Sequence, residues 1–398
     1  MKKIIVFISI GFLFLLAVVC LNACAPIRNL SNPPIPYSGN NVFHRKIPFN
    51  DTAKKNVFII ADNKVTELFD MLAPFYLFNT TRKANVYIIA KMKSPVLIKK
   101  DLYVLPQISF KEADSMMLRA DVIVIPALSI RDEQQDPVII SWIKDHYTAT
   151  TKILSICDGA STAAATGLYD GKLLTCHASD FEGIRSRFSK PVWVQNVAVT
   201  KDGNLYSTAG VSNAVEGSLT VINELFGEAT MKSVAANIHY PEAQIKTNHR
   251  SISIGFNNKL SIAKKVMFHK NRKLDIMIAN AVNEFELASV LDTYGRSFPA
   301  GLKTVSLEGI RRNDSTVQTK YGLTLVCTGD RSYNMPDELH VLLAQSFSKE
   351  DAALFSHTEI VNYNTLPGKY PIDTYLDRIS KLYGPKFKNV VKLMLDYN

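Results

Sequence analysis

Cysteine is scarce in this chain: five in 398 residues, with Cys20 and Cys24 both near the N-terminus. The other three, Cys157, Cys176 and Cys327, are an odd number without paired spacing, so no disulfide framework is implied. There is no CxxC pair and no His/Cys cluster with zinc-ligand spacing, so no metal site is predicted. No glycine-rich phosphate loop is present, which argues against nucleotide use, and no cofactor is implied. No helix-turn-helix pattern and no dense basic block occur, so nucleic acid is not the expected partner. The formal charge is +10, from 46 basic and 36 acidic residues, but it is dispersed. Its longest cluster, Lys264, Lys265, Lys270, Arg272 and Lys273, reads either as a solvated linker face or as a contact for anionic lipid heads.

Long apolar runs are also few, and the clearest is N-terminal. Lys2-Lys3 precedes a predominantly apolar run from Ile4 to Leu21, the pattern of a secretory signal. Leu21-Asn22-Ala23-Cys24 then resembles a bacterial lipobox, in which Cys24 receives the lipid. Lipoprotein, uncleaved anchor and free secretion are the three readings. Each places the bulk of the chain outside the cytoplasm, and the first gives a membrane-anchored protein of the cell envelope. Residues 1–24 are read as leader and the Pro-rich residues 25–52 as a tether.

Beyond the tether, continuous apolar strands alternate with helical patterns. Strands are expected over 57–61, 85–90, 121–126 and 152–156, with helices over 67–79 and 136–146. Such strands imply a mainly parallel sheet covered on both faces. The fold class is therefore α/β, a flavodoxin-like three-layer sandwich. Residues 274–279 and 283–290 repeat the first strand and helix, with Glu286 in the place of Asp70. Phe226-Gly227-Glu228 leading to Ile238-His239-Tyr240 is echoed by Tyr383-Gly384-Pro385 leading to Leu395-Asp396-Tyr397. This predicts two tandem copies, 53–245 and 272–398, joined by a linker over 246–271. The second copy is degenerate, with no strand–Cys–Gly–helix segment.

The strongest motif is Ile153-Leu154-Ser155-Ile156-Cys157-Asp158-Gly159-Ala160 followed by a small-residue helix. A sharp strand-to-helix turn would expose Cys157 at the carboxyl edge of the sheet, where the helix N-terminus favours a thiolate. The ordered string Cys157-Asp158-Gly159-Ala160, Ala165-Thr166-Gly167-Leu168-Tyr169-Asp170-Gly171-Lys172, Thr175-Cys176-His177 and Ser207-Thr208-Ala209-Gly210-Val211 resembles the ThiJ/PfpI superfamily. That superfamily has the class I glutamine amidotransferase-like fold, and the match is to the branch containing isonitrile hydratases and the sensor domains of AraC-type regulators.

The resemblance implies Cys157 as nucleophile, His177 near the thiol, and Asp70 as an acid against the sulfur. It also implies an oxyanion hole from the backbone N–H groups of Ala127 and Asp158. Asp158 directly after the cysteine, where peptidases of the family carry histidine, argues against peptide hydrolysis. Two functions remain open: a cysteine-dependent hydrolase, hydratase or lyase acting on a small electrophile, and a non-catalytic module binding a small molecule or partner. Cys176 would offer Cys157 a disulfide partner on oxidation. The family's tendency to dimerise would be met either by a homodimer or by the two copies within one chain.

Overall fold

The apolar run from Val57 forms the central strand of a twisted sheet in which neighbouring residues face opposite sides. Val57, Ile59 and Ala61 enter one hydrophobic cluster, while Phe58 and Ile60 enter another on the reverse face. The computed structural model describes residues 23–28, 35–39, 43, 47–99, 101–128, 135–312, 315–328, 335–363 and 368–397. Of the predicted leader, residues 1–24, the first 22 lie outside them. Cys24 is exposed. No helix among the described residues is long and apolar enough to cross a membrane.

The first half runs β1 (Lys55–Ala61), α1 (Leu68–Thr80), β2 (Ala84–Ala90), β3 (Val96–Lys99), β4 (Leu102–Val104), β5 (Ile108–Ser109) and β6 (Val122–Ile125). It continues with α2 (Pro137–His146), β7 (Lys152–Ser155), α3 (Gly159–Ala165), β8 (Val199–Asp202), β9 (Leu205–Thr208), α4 (Ala214–Phe226) and α5 (Glu228–Asn237). The main sheet has the order β8-β9-β7-β6-β1-β2-β5. Every pairing in it is parallel except β8 with β9. Helices α1 and α4 cover one face and α2 and α3 the other, as burial of continuous apolar strands requires.

The second half runs α6 (Phe256–Phe268), β10 (Lys273–Ile278), α7 (Glu284–Gly295), β11 (Gly301–Ser306), β12 (Thr316–Gln318), β13 (Thr324–Cys327), β14 (Glu338–Val341), β15 (Glu359–Asn362), α8 (Pro371–Tyr383) and α9 (Pro385–Met394). Its parallel sheet, β11-β10-β14-β15, follows the chain order of β2-β1-β6-β7. The fourth strand, Glu359–Asn362, is present although no cysteine follows it. Between α4 and α5, Gly227 has φ +84° and ψ +164°; between α8 and α9, Gly384 has φ +87° and ψ +162°. His239 and Asp396, at matching places after α5 and α9, both have φ +53°.

The halves share one core. Helix α1 lies against α7, with Phe69 and Phe285 ring centroids 5.6 Å apart and Tyr76 and Phe285 at 6.0 Å. A further antiparallel sheet, β12-β13-β4-β3, takes one hairpin from each half and joins them along β13 and β4. Sequence periodicity gave no sign of these short strands. Two other expectations change. The linker contains α6, and its Lys265 is buried, donating to the Asn271 Oδ1 at 3.0 Å and the Phe298 carbonyl at 2.7 Å. Of the rest of the basic cluster, Lys264, Lys270 and Lys273 are exposed as expected, Lys270 pairing with Asp337, while Arg272 is half-buried against Glu338. Part of the tether also packs: Tyr37 stacks edge-on against Tyr103 at 5.3 Å.

Candidate active site at the Cys157 elbow

The elbow is shaped by two small-scale constraints. The Ile156 N–H donates to the Ile125 carbonyl, and the chain then turns through Cys157 at φ +53°. That left-handed conformation is costly for a residue with a Cβ and persists only where the surroundings impose it. Gly159 permits the turn. A Cβ there would lie 2.1 Å from the Ile125 oxygen and 2.8 Å from the Pro126 oxygen, so α3 starts hard against the end of β6. The Cys157 side chain is 5% exposed.

The acids come from the start of α1. Glu67 caps the helix, accepting from the Asp70 N–H at 2.8 Å. Ala127 clamps this turn, donating its N–H to Asp70 Oδ2 at 3.0 Å and accepting from the Glu67 N–H at 2.9 Å. The Ala127 N–H, expected as an oxyanion donor, is therefore already used to fix the acid. Asp70 Oδ1 is buried without a hydrogen-bond partner. Burial, with Glu67 adding to it, raises the Asp70 carboxyl well above the usual range. Burial likewise pushes the Cys157 thiol up, and the Asp158, Asp70 and Glu67 charges act in the same direction. The Asp158 N–H donates to the sulfur and opposes this. Both shifts favour the protonated forms, so burial works against the helix-stabilised thiolate expected from sequence.

His177 is buried, and its Nδ1 accepts from the Ser179 N–H at 3.2 Å and lies 3.5 Å from Asp180. Among the described residues no hydrogen bond joins it to Cys157, although it acts on Asp158, the next residue of the elbow. Burial acts to lower its pKa, but Asp180, Asp396 and Asp158 outweigh this and leave it raised. Cys176 belongs to the cluster on the opposite sheet face from Cys157, and both are free thiols.

Sequence reasoning missed what the second half supplies. Arg296, at the end of α7, lies 3.9 Å from Glu67, pairs with Asp292, and donates from Nε to the Met394 carbonyl at 2.8 Å. Lys99 approaches Asp292 at 3.4 Å. Burial and Asp292 lift Glu67 to about 7 against the pull of Arg296. The C-terminal tail closes the other flank. The Ser212 N–H donates to the Leu395 carbonyl at 3.0 Å, and buried His249 meets Asp396 at 3.0 Å. A Cβ on Gly210 would be 2.0 Å from the Asp396 Cβ, so glycine admits the tail. Burial and Asp180 raise Asp158 to about 7, with His177 and Arg187 opposing. The only available sequence signal was the echoed C-terminal pattern of the two halves. Among the described residues no group of three or more His, Cys, Asp or Glu side chains is arranged to hold a metal ion.

Comparison with known proteins follows the same elements. Residues 54–224 match the DJ-1/PfpI family. Isonitrile hydratase of Pseudomonas putida is 25% identical over 150 residues, covering 37% of this chain and 63% of that protein, a little under two thirds of its length. The Parkinson disease protein 7 homolog of Danio rerio is 27% identical over 150 residues, covering 36% of this chain and 76% of that protein. Among solved structures, a DJ-1 superfamily protein from Salmonella typhimurium aligns with TM-score 0.41 and 21% identity, covering 47% of this chain and all of that one. A ThiJ/PfpI family protein from Pseudomonas syringae gives TM-score 0.42 and 20% identity, covering 54% and 85% respectively. Through residues 54–224, which hold the elbow, its acid and the sheet that positions them, the chain carries a domain of the DJ-1/PfpI family.

Proposed function

We propose that the first half is a cysteine-dependent enzyme that adds water to a small electrophile through Cys157, with Asp70 handling the proton. The observation that carries this is the buried, unpartnered Asp70 Oδ1 beside a thiol held at φ +53°. A protonated acid next to a neutral thiol suits a substrate that must gain a proton as sulfur adds to it. An isonitrile, the substrate class named by the Pseudomonas relative, has that requirement. Sulfur would bond to the terminal carbon while Asp70 protonates that carbon, and the thiol proton passes to the Asp70 carboxylate. Water then adds to the resulting thioimidate, the C–S bond breaks, sulfur recovers a proton, and an N-substituted formamide leaves. The Asp158 N–H stabilises negative charge on sulfur, and Arg296 balances the surrounding carboxylates.

The test is conversion of a small alkyl isonitrile by the full chain, with formamide measured by chromatography. Turnover should vanish in Cys157→Ser and fall at least about a hundredfold in Asp70→Asn, the usual scale for loss of a general acid. Formation of formamide at equal rates in wild type and Cys157→Ser would end the catalytic reading. The second reading, a non-catalytic binding module, is favoured by the nearly complete burial of the sulfur and by the use of the Ala127 N–H to hold Asp70. It predicts no turnover in any variant.

Two wider proposals accompany this. The matched strand orders, glycine conformations and positive-φ residues support a tandem duplication. Family members commonly form dimers and bind small ligands. The α1–α7 packing would meet that dimer contact within one chain. The Lys2-Lys3 start, apolar run and Cys24 support a lipid-anchored envelope protein.

A further inference from the structure

If the halves are related as their backbones suggest, the Cys157 site has a counterpart in the second half. At that place lies a half-open cavity of about 430 Å³, within the size range of small-molecule sites. It is assembled as the first site is. Glu286 stands at the third position of α7, as Asp70 does in α1, and Asn283 caps α7 where Glu67 caps α1. Tyr76 reaches in from α1, six residues after Asp70, just as Asp292, six after Glu286, reaches the first site from α7. His239 reaches the cavity from the first half, where Asp396 of the second half flanks Cys157.

Its chemistry differs from that of the first site. No cysteine is among the lining residues. Glu286 has no hydrogen bond or ion pair to its carboxylate among the described residues, and its oxygens are not sealed off. The neighbouring cations are otherwise engaged. Lys369 is paired with Asp377, and Lys320 donates to the Tyr76 hydroxyl at 3.2 Å, acting on Glu286 only at longer range. The walls are aromatic: Tyr76, Phe285, Tyr363 and Tyr375 all face the space, with Tyr363 and Tyr375 edge to face at 4.9 Å. A carboxylate without a counter-ion among electron-rich ring faces is the arrangement that attracts an organic cation.

We propose that this cavity binds a small organic ammonium compound, with Glu286 as counter-ion and the rings of Tyr76, Phe285, Tyr363 and Tyr375 as its walls. The site is independent of the Cys157 chemistry. Three probes of matched shape test it by titration calorimetry on the full chain: benzylamine, benzyl alcohol and benzoate. Benzylamine should bind at least about tenfold tighter than benzyl alcohol, and benzoate should be the weakest. Glu286→Gln should abolish the preference for the amine. Leu343→Trp, which fills the cavity from its rim, should abolish binding of all three. Cys157→Ser should change none of these values, whether or not the first half proves to be an enzyme. Equal binding of the three probes, no binding of benzylamine, or an unaltered preference in Glu286→Gln would overturn the proposal.

Discussion

Acidification from about pH 7.5 to about pH 5.5 should stabilise this protein rather than weaken it. The reason lies in Glu67, whose folded-state pKa is raised from 4.5 to about 7, chiefly by burial and then by Asp292. A carboxyl raised on folding binds its proton more tightly in the native state than in the unfolded chain. Its burial as an anion costs stability above about 7, and that cost is relieved as pH falls toward 4.5. Linkage over those two pH units gives on the order of 2 kcal/mol from this one group. Asp158, raised to about 7 from 3.8, acts with the same sign, as does Asp70. His177, raised above 6.5, also gains stability as pH falls. Glu224 and Glu338 are lowered to about 2 and add losses only below roughly pH 4.5, outside the window. Urea unfolding at the two pH values measures the difference, because the shared core of the two halves should melt as one unit. Glu67→Gln should remove its own share, about 2 kcal/mol, and leave what Asp158, Asp70 and His177 contribute. Flat or falling stability on acidification in the wild type, or the same slope in Glu67→Gln, would refute the assignment of a buried, largely protonated acid cluster.

Other outcomes follow from single contacts. Gly159→Ala should cost about 3 kcal/mol or prevent folding, since its Cβ meets backbone oxygen at 2.1 Å; thermal unfolding reads this. Arg296→Met should destabilise by about 3 kcal/mol at neutral pH by leaving Asp292 and Glu67 unbalanced, and adding Asp292→Asn should recover most of it. Gly210→Ala should loosen the C-terminal tail, seen as faster hydrogen exchange of the Ser212 amide than in wild type. Labelling of cells with a fatty-acid analogue should mark the wild-type chain and not Cys24→Ala.

The elements that define the first half were legible because they are long apolar runs with clear punctuation. The run before Cys157, the small residues after it and the alternation from residue 57 onward each agree with the fold, with ends displaced by a residue or two. Asp70 stood out in the sequence as a carboxylate between Phe69 and Met71, and the structure buries it with the Ala127 N–H on one oxygen. The failures share a cause: each depends on residues distant in sequence. Whether the Ala127 N–H is free depends on Asp70, 57 positions away. Arg296 and the tail carry no periodic signal that would point to Cys157. The strands of the shared sheet are too short for periodicity, and α6 was hidden by a polar, lysine-rich surface that conceals Lys265 and Val266 on its buried side.

The protonation state of Asp70 tests the account most directly. In protein labelled with ¹³C at the aspartate carboxyls, the resonance absent from Asp70→Asn should still report a protonated acid at a pH where the surface aspartates have already ionised. A carboxylate already ionised there, titrating near 4 like a surface aspartate, would contradict the paired thiol and acid on which the proposed chemistry rests.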